Sequence, residues 1–275
     1  MTVTSLLVLA DNKAVDDRLG FEHGWSVWID CAADGCFLWD TGQTGVFLDN
    51  ARILGVDPTT VRAVALSHGH HDHAGGLPTL LNAGYRGPVI GHPDILLRRY
   101  SRRGETTFRS IGMGDGRLAD GIPGFLPVQD TVELAEGLTF VTSITRRPGS
   151  FTATDNLFRD TAGHVPDDIP DDAFLVIDAP DGPMVLLGCC HAGLPNTLAH
   201  AGARLGLSRI HTVAGGLHLG GAPREALAET VQSLSDWGVR RLLPGHCTGP
   251  AGLDFLREHF SGELLESGCG LCIQP

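Results

Sequence analysis

Residues 66–77 read LSHGHHDHAGGL, which places His68, His70, His71, Asp72 and His73 side by side in one short segment. Neutral imidazoles and a carboxylate are ligand types for zinc, iron and manganese. The preceding apolar run reads as a buried strand, and residues two apart just beyond a strand converge from one side. The spacing therefore assigns His68 and His70 to one ion and Asp72 with His73 to a second, while His71 points elsewhere. A polar loop with incidental histidines is the competing reading. Four imidazoles and a carboxylate at this spacing make it the weaker one.

Four ligands do not complete two metal ions, so others must come from other strand ends. Three histidines qualify: His191 in CCHAGLPN, His218 in GGLHLGG and His246 in PGHCTG. Each sits in a glycine-containing loop after an apolar run, where side chains can meet in one cleft. His92, His164, His200, His211 and His259 lack that context and read as hydrogen-bonded histidines. Asp40, in FLWDTG, stands at a strand end; it is expected to accept hydrogen bonds from the metal loop and orient a histidine. Its plainer reading is a turn aspartate.

The elements that must position these residues follow from apolar periodicity and turn residues. Strands are expected at 6–11, 25–32, 36–42, 61–68 and 87–93, with helices at 44–55, ending at Gly55, and at 75–84. From residue 173 a strand pair turns at PDGP. Helices at 194–206, 223–239 and 251–261 then alternate with strands near 210–219 and 240–249. Between them, about 101–170 is polar and irregular apart from a hairpin at 131–144, and reads as a cover over a site. Strand pairs followed by alternation imply packed sheets with helices outside. The whole of 1–275 reads as one domain.

A net charge of −12 argues against a nucleic-acid or anionic-membrane surface. No apolar run approaches the ~20 residues of a spanning helix. MTVTSLLVLADNK lacks a basic start and reads as a first strand rather than a signal peptide. Seven cysteines, an odd and sparse count, point to a reduced, cytoplasmic setting. Cys269 and Cys272 form a lone C-x-x-C, read as two small residues of a terminal strand, with a redox-sensitive pair as the alternative. Arg98, Arg99, Arg102, Arg103, Arg146 and Arg147 could recruit an anionic substrate, although solvated loop arginines are the simpler reading.

SHGHHDHAGG, preceded by DTG and followed by loop histidines, resembles the metallo-β-lactamase superfamily. EHGWSVWI, GCCHAGLPNTL, GGLHL and PGHCTG narrow the resemblance to its branch of metal-dependent hydrolases that includes 7,8-dihydropteroate synthase-like, methanopterin-related proteins. The resemblance implies an α/β fold, the αββα four-layer sandwich, with a dinuclear site at one edge. It carries metal-ligand roles onto His68, His70, Asp72, His73 and His246. Two positions depart from the common pattern. ITRRPGSFTATD holds no histidine where many relatives have one, and His191 can supply the missing imidazole. Cys189, in LLGCCHAG, stands where many relatives carry a bridging aspartate; a thiolate ligand and a packed small residue are both open. Glu22 and His23 are implied to lie near the substrate.

The leading expectation is hydrolysis by a mono- or dinuclear divalent metal site, zinc first, with iron or manganese as other candidates. Such an ion lowers the pKa of its water to ~7. Asp72 would ligate and hold the attacking water, and His218 would stabilise the developing oxyanion. The substrate is expected to be a small molecule, with anionic character a possibility. A transferase joining a pterin diphosphate to an arylamine is the second expectation, and an iron-based redox protein the third.

Overall fold

Strands such as Phe174–Ile177 and Met184–Leu187 are buried at every position, so they need packing on both faces. The computed structural model, which describes residues 3–113, 118 and 121–275, provides it with two facing sheets. In chain order the strands are β1 (Ser5–Ala10), β2 (Ser26–Asp30), β3 (Cys36–Trp39), β4 (Ala63–Ala65), β5 (Val89–Gly91), β6 (Tyr100–Arg102) and β7 (Phe108–Ser110). Next come β8 (Phe125–Pro127), β9 (Thr131–Ala135), β10 (Leu138–Val141), β11 (Leu157–Phe158), β12 (Phe174–Ile177) and β13 (Met184–Leu187). The last are β14 (Thr212–Gly216), β15 (Arg241–Gly245), β16 (Glu263–Leu264) and β17 (Cys272–Ile273).

One seven-stranded sheet runs β17-β1-β2-β3-β4-β5-β8 and the other β16-β15-β14-β13-β12-β10-β9. Each changes from antiparallel to parallel pairing at its centre. In the first sheet β2/β3 is antiparallel and β3/β4 parallel; in the second, β12/β13 is antiparallel and β13/β14 parallel.

The facing surfaces bury Leu6, Val27 and Trp39 against Phe140, Leu175 and Leu186. Trp39 also donates its indole N–H to Leu187 O at 3.0 Å, tying the two sheets together. Behind the first sheet, Phe47 and Ala51 of α1 (Val46–Leu54) and Leu77 and Leu80 of α3 (Leu77–Asn82) pack on Leu9, Leu38 and Val64. A single turn, α2 (His71–Ala74), precedes α3. Behind the second sheet lie Leu198 of α4 (Leu194–Leu205), Leu234 of α5 (Arg224–Asp236) and Leu256 of α6 (Gly249–His259). The layers are therefore helix, sheet, sheet, helix, as expected. Each large apolar side chain buried this way contributes about 1.5–3 kcal/mol.

Helix ends follow the sequence signals. α1 stops where Gly55 takes the left-handed conformation at φ 78° and Val56 N–H returns to Ala51 O. The strands at 61–68 and 87–93 are shorter than expected, because their ends become site loops. The described residues of 101–170 hold more regular structure than their composition suggests, and residues 114–117, 119 and 120 of that expected cover lie outside the described residues. β6, β7 and β11 form a small antiparallel sheet, β8 extends the first large sheet, and β9 and β10 form the expected hairpin in the second. Among the described residues, no helix is long and apolar enough to cross a membrane.

Candidate metal centre

Asp40 follows β3, His68 follows β4, and His191, His218 and His246 follow β13, β14 and β15. All lie beyond carboxyl ends of strands, around the points where pairing changes direction, which is where α/β sheets leave a crevice.

The histidine loop changes conformation within itself. His70 is extended at φ −76°, ψ 146°, and the next four residues form α2. His68 and His70 thus leave an extended segment, while Asp72 and His73 leave a helical turn and face a different point. The turn is held from outside: Thr41 N–H and Oγ1–H donate to His73 O at 2.7 and 3.0 Å, and Trp25 N–H donates to Asp72 O at 3.1 Å. Gly69 is required by close approach, since a Cβ there would lie 2.0 Å from Ile95 O.

Two ligand sets result. In the first, His68 Nε2 and His70 Nδ1 are 3.0 Å apart, and His191 completes a group whose ligand atoms all lie within 4.8 Å. In the second, His73 Nε2 is 3.1 Å from His246 Nε2, and Asp72 Oδ2 is 3.5 Å from His246 Nε2. The sets adjoin, with the His68 and His73 ring centres 4.2 Å apart. Asp72 also meets His23 Nε2 at 3.2 Å.

Outer hydrogen bonds decide which nitrogen each imidazole presents, a tautomer inferred from partners. His73 Nδ1–H donates to Asp40 Oδ2 at 2.7 Å. Ser67 Oγ–H donates to the same carboxylate oxygen at 2.7 Å and accepts from His68 Nδ1–H at 2.9 Å. One buried carboxylate therefore turns the Nε2 lone pairs of both His68 and His73 toward the centre. His191 Nδ1–H donates to Ala153 O at 2.7 Å, and its buried Nε2 has no partner among the described residues. His246 Nδ1–H donates to Asn12 Oδ1 at 3.0 Å, while Asn12 returns an amide N–H to His246 O at 3.1 Å.

These atoms fit a cation. The facing ring nitrogens lie about 3 Å apart, close to the ~3.3 Å between tetrahedral ligands on zinc, so a cation can take the place of the proton each pair shares. Burial, reinforced by neighbouring imidazoles, holds His68 and His191 well below the usual histidine range. Burial also lowers His70, with the Arg99 charge adding to it. All three are in the neutral, ligating form. His73 differs: burial opposes its charge, but Asp40 and Asp72 outweigh it and raise its pKa to about 9. A cation binding there must displace that proton.

His218 faces the same cavity, its ring centre 4.5 Å from that of His191. Cys189 Sγ lies 3.0 Å from His73 Nε2. Glu22 does not join the centre: it accepts from the backbone N–H groups of Gln43 and Thr44 and from Thr44 Oγ1, and so braces the loop after Asp40. His71 stays out of both ligand sets but borders the same cavity, with Nδ1–H donating to Ile111 O at 3.1 Å and Nε2 3.5 Å from Arg109 Nη2. His92, His211 and His259 make local hydrogen bonds, and His200 accepts from Thr145 N–H at 3.2 Å; none of the four belongs to either ligand set.

The cavity above the ligands is about 510 Å³. Its far wall, from the small sheet and the β6–β7 turn, carries Arg102, Arg103 and Arg109. The Arg102 guanidinium lies 4.4 Å from the Phe158 ring centre and 5.4 Å from that of Phe108, which fixes its plane. Arg99 departs from the solvated reading. It is fully buried, with Nη2 2.6 Å from Asp171 Oδ1 and Nε 3.6 Å from Asp167 Oδ2. Asp171 Oδ2 in turn accepts Gly69 N–H at 2.7 Å, so the pair anchors the histidine loop. Arg146 donates to Ile169 O at 2.9 Å. Two residues of the centre, Asn12 and Cys247, escape the sequence reading. Asn12 carries no local signal, whereas Cys247 directly follows His246, and that adjacency is a signal for it.

Comparison with known proteins agrees with this geometry. The family model of the metallo-beta-lactamase superfamily matches residues 19–246. The 7,8-dihydropterin-6-methyl-4-(beta-D-ribofuranosyl)-aminobenzene-5'-phosphate synthase of Methanocaldococcus jannaschii is 26% identical over 271 residues, covering 92% of this chain and 90% of that protein. The crystal structure of Tm1679, described as a metal-dependent hydrolase of the beta-lactamase superfamily, superposes with a TM-score of 0.84 at 30% identity, covering 99% of both chains. Zn(2+)-bound PqqB from Methylobacterium extorquens shares the fold, with a TM-score of 0.57 at 13% identity over 98% of this chain and 100% of that one. The chain belongs to the metallo-β-lactamase superfamily.

Proposed function

We propose that the protein is a metal-dependent hydrolase of a small anionic substrate. The observation that carries this is one cavity bordered both by His70, Asp72, His191 and His246, with His68 and His73 buried directly behind them, and by Arg102, Arg103 and Arg109. His68, His70 and His191 hold one divalent ion; Asp72, His73 and His246 hold the other, with Cys189 beside them. Zinc suits both sets, and iron and manganese accept the same ligands. When bound, such ions acidify water and polarise a carbonyl or phosphoryl oxygen.

The chain's own groups do the rest. Asp72 orients the attacking water in line with the reacting bond. His218 faces that bond from β14 and stabilises negative charge as it develops. His23, exposed at the cavity mouth, and the arginine wall position the substrate. The similarity to Tm1679 over nearly the whole chain supports the hydrolytic reading. A cytoplasmic location suits a protein whose described cysteines are all free thiols.

A second reading has a specific observation behind it. The M. jannaschii relative is named as a synthase of a pterin–aminobenzene conjugate, and an arginine wall also suits a diphosphate leaving group. In that reaction an arylamine nitrogen bonds to the pterin methylene carbon, the C–O bond breaks, and pyrophosphate leaves with the amine proton passing to solvent. Incubating metal-loaded protein with a pterin methyl diphosphate, with and without an arylamine, separates the two. Free pterin alcohol supports hydrolysis, and the conjugate supports transfer. Turnover that survives in the His70→Ala, His73→Ala variant contradicts both.

A further inference from the structure

Three more ligand atoms converge beside the two sets. Cys189 Sγ, the His218 imidazole and Cys247 Sγ all lie within 4.8 Å of one another. Their placement is regular. The adjacent parallel strands β13, β14 and β15 end at Leu187, Gly216 and Gly245, and each of the three residues stands two positions beyond its strand. The surrounding backbone accommodates them. A Cβ on Gly216 would lie 2.5 Å from Cys247 Sγ, so only glycine leaves room for that sulfur. His218 is held at φ 49°, a left-handed conformation that is unfavourable for a non-glycine residue. Its Nδ1 is buried with no partner among the described residues. All three side chains border the cavity.

We propose that Cys189, His218 and Cys247 form a third ligand set, a thiolate–imidazole site for a soft ion such as zinc, cadmium or copper(I). Two sulfurs and a nitrogen select thiophilic ions, unlike the imidazole and carboxylate sets beside them. Binding is an exchange: each thiol releases one proton to solvent as its sulfur becomes a ligand, and no electron is transferred. Cys189, near His73, places this ion against the second set and the substrate cavity. The site goes beyond the two-ion reading of function: in the ion-loaded protein His218 serves as a ligand in place of the charge-stabilising role given to it above.

The test titrates the metal-free full-length chain with cadmium. It follows ultraviolet thiolate-to-metal charge-transfer absorption and counts the ions retained after dialysis. Wild type is expected to keep one ion more than Cys247→Ser or His218→Gln, and Cys247→Ser to lose at least half of the thiolate band. Cys247→Ala replaces the serine variant should circular dichroism show the latter unfolded. His191→Ala should lose an ion and keep the band, so failure of the first imidazole set is scored separately. Two outcomes overturn the proposal. One is the absence of a thiolate band in wild type. The other is a band abolished by Cys189→Ser yet unchanged in Cys247→Ser, which makes Cys189 a lone thiolate of the second set.

Discussion

Asp40 Oδ2 lies 2.7 Å from His73 Nδ1, and both side chains are fully buried. The same oxygen receives Ser67 Oγ–H, which accepts from His68 Nδ1–H. A single carboxylate thus sets the tautomer of one histidine in each imidazole set. Asp40→Asn keeps the shape but removes the charge and one acceptor. Outer partners of this kind are worth about 10–100-fold in metal affinity. Competition with a chelating dye should show a loss of that size, and an unchanged affinity would mean that Asp40 does not orient the ligating histidines.

The histidine loop is anchored from below by Asp171, which binds both Gly69 N–H and Arg99. Removing one partner of a buried ion pair leaves an uncompensated charge and costs about 3–5 kcal/mol. Asp171→Ala is therefore expected to lower the unfolding free energy of the metal-free chain by about that much. A chemical denaturation curve close to wild type would show that Asp167 alone satisfies Arg99.

Asp172 gives a pH signature. Burial raises its pKa to about 6, against the backbone hydrogen bond from Ala192 that favours the anion. The folded chain therefore binds this proton more tightly than the unfolded one. Its stabilising effect is complete below about pH 4 and lost as pH rises through 6. Asp172→Asn retains an acceptor for Ala192 N–H and cannot ionise. In metal-free protein the variant should match wild type near pH 4 and exceed it by on the order of 3 kcal/mol at pH 7. Parallel stability profiles would contradict this.

The cavity arginines are tested without knowing the substrate. Inorganic pyrophosphate should bind the metal-loaded protein, as followed by titration calorimetry. Charge-assisted hydrogen bonds of this class are worth about 1.5–3 kcal/mol, so Arg103→Ala with Arg109→Ala should weaken binding about tenfold or more. Metal content should stay at the wild-type level. Equal affinity would place the anion elsewhere.

Much of the centre is legible in sequence because it is local. Four candidate ligands lie in one loop, and three more histidines are marked by glycines after apolar runs. Helix ends are local too, as Gly55 shows. What sequence hides is pairing between distant segments. Asn12 orients His246 from 234 residues away. Arg99 looks like a loop arginine because its buried partners, Asp167 and Asp171, belong to a segment that composition marks as polar cover. The small sheet β11-β6-β7 escapes for a similar reason, since its strands are two or three residues long. The family resemblance puts Glu22 near the substrate, yet the N–H groups it satisfies lie on a loop 21 and 22 residues along the chain.

The central claim is that two separate three-ligand sets hold metal. Elemental analysis of the zinc-loaded, dialysed full chain tests it most directly, comparing wild type with His191→Ala, His246→Ala and the double variant. The two-set account predicts that each single variant keeps one ion fewer than wild type and the double variant two fewer. Metal counts equal to wild type in the single variants, or both ions lost together in each, would contradict it.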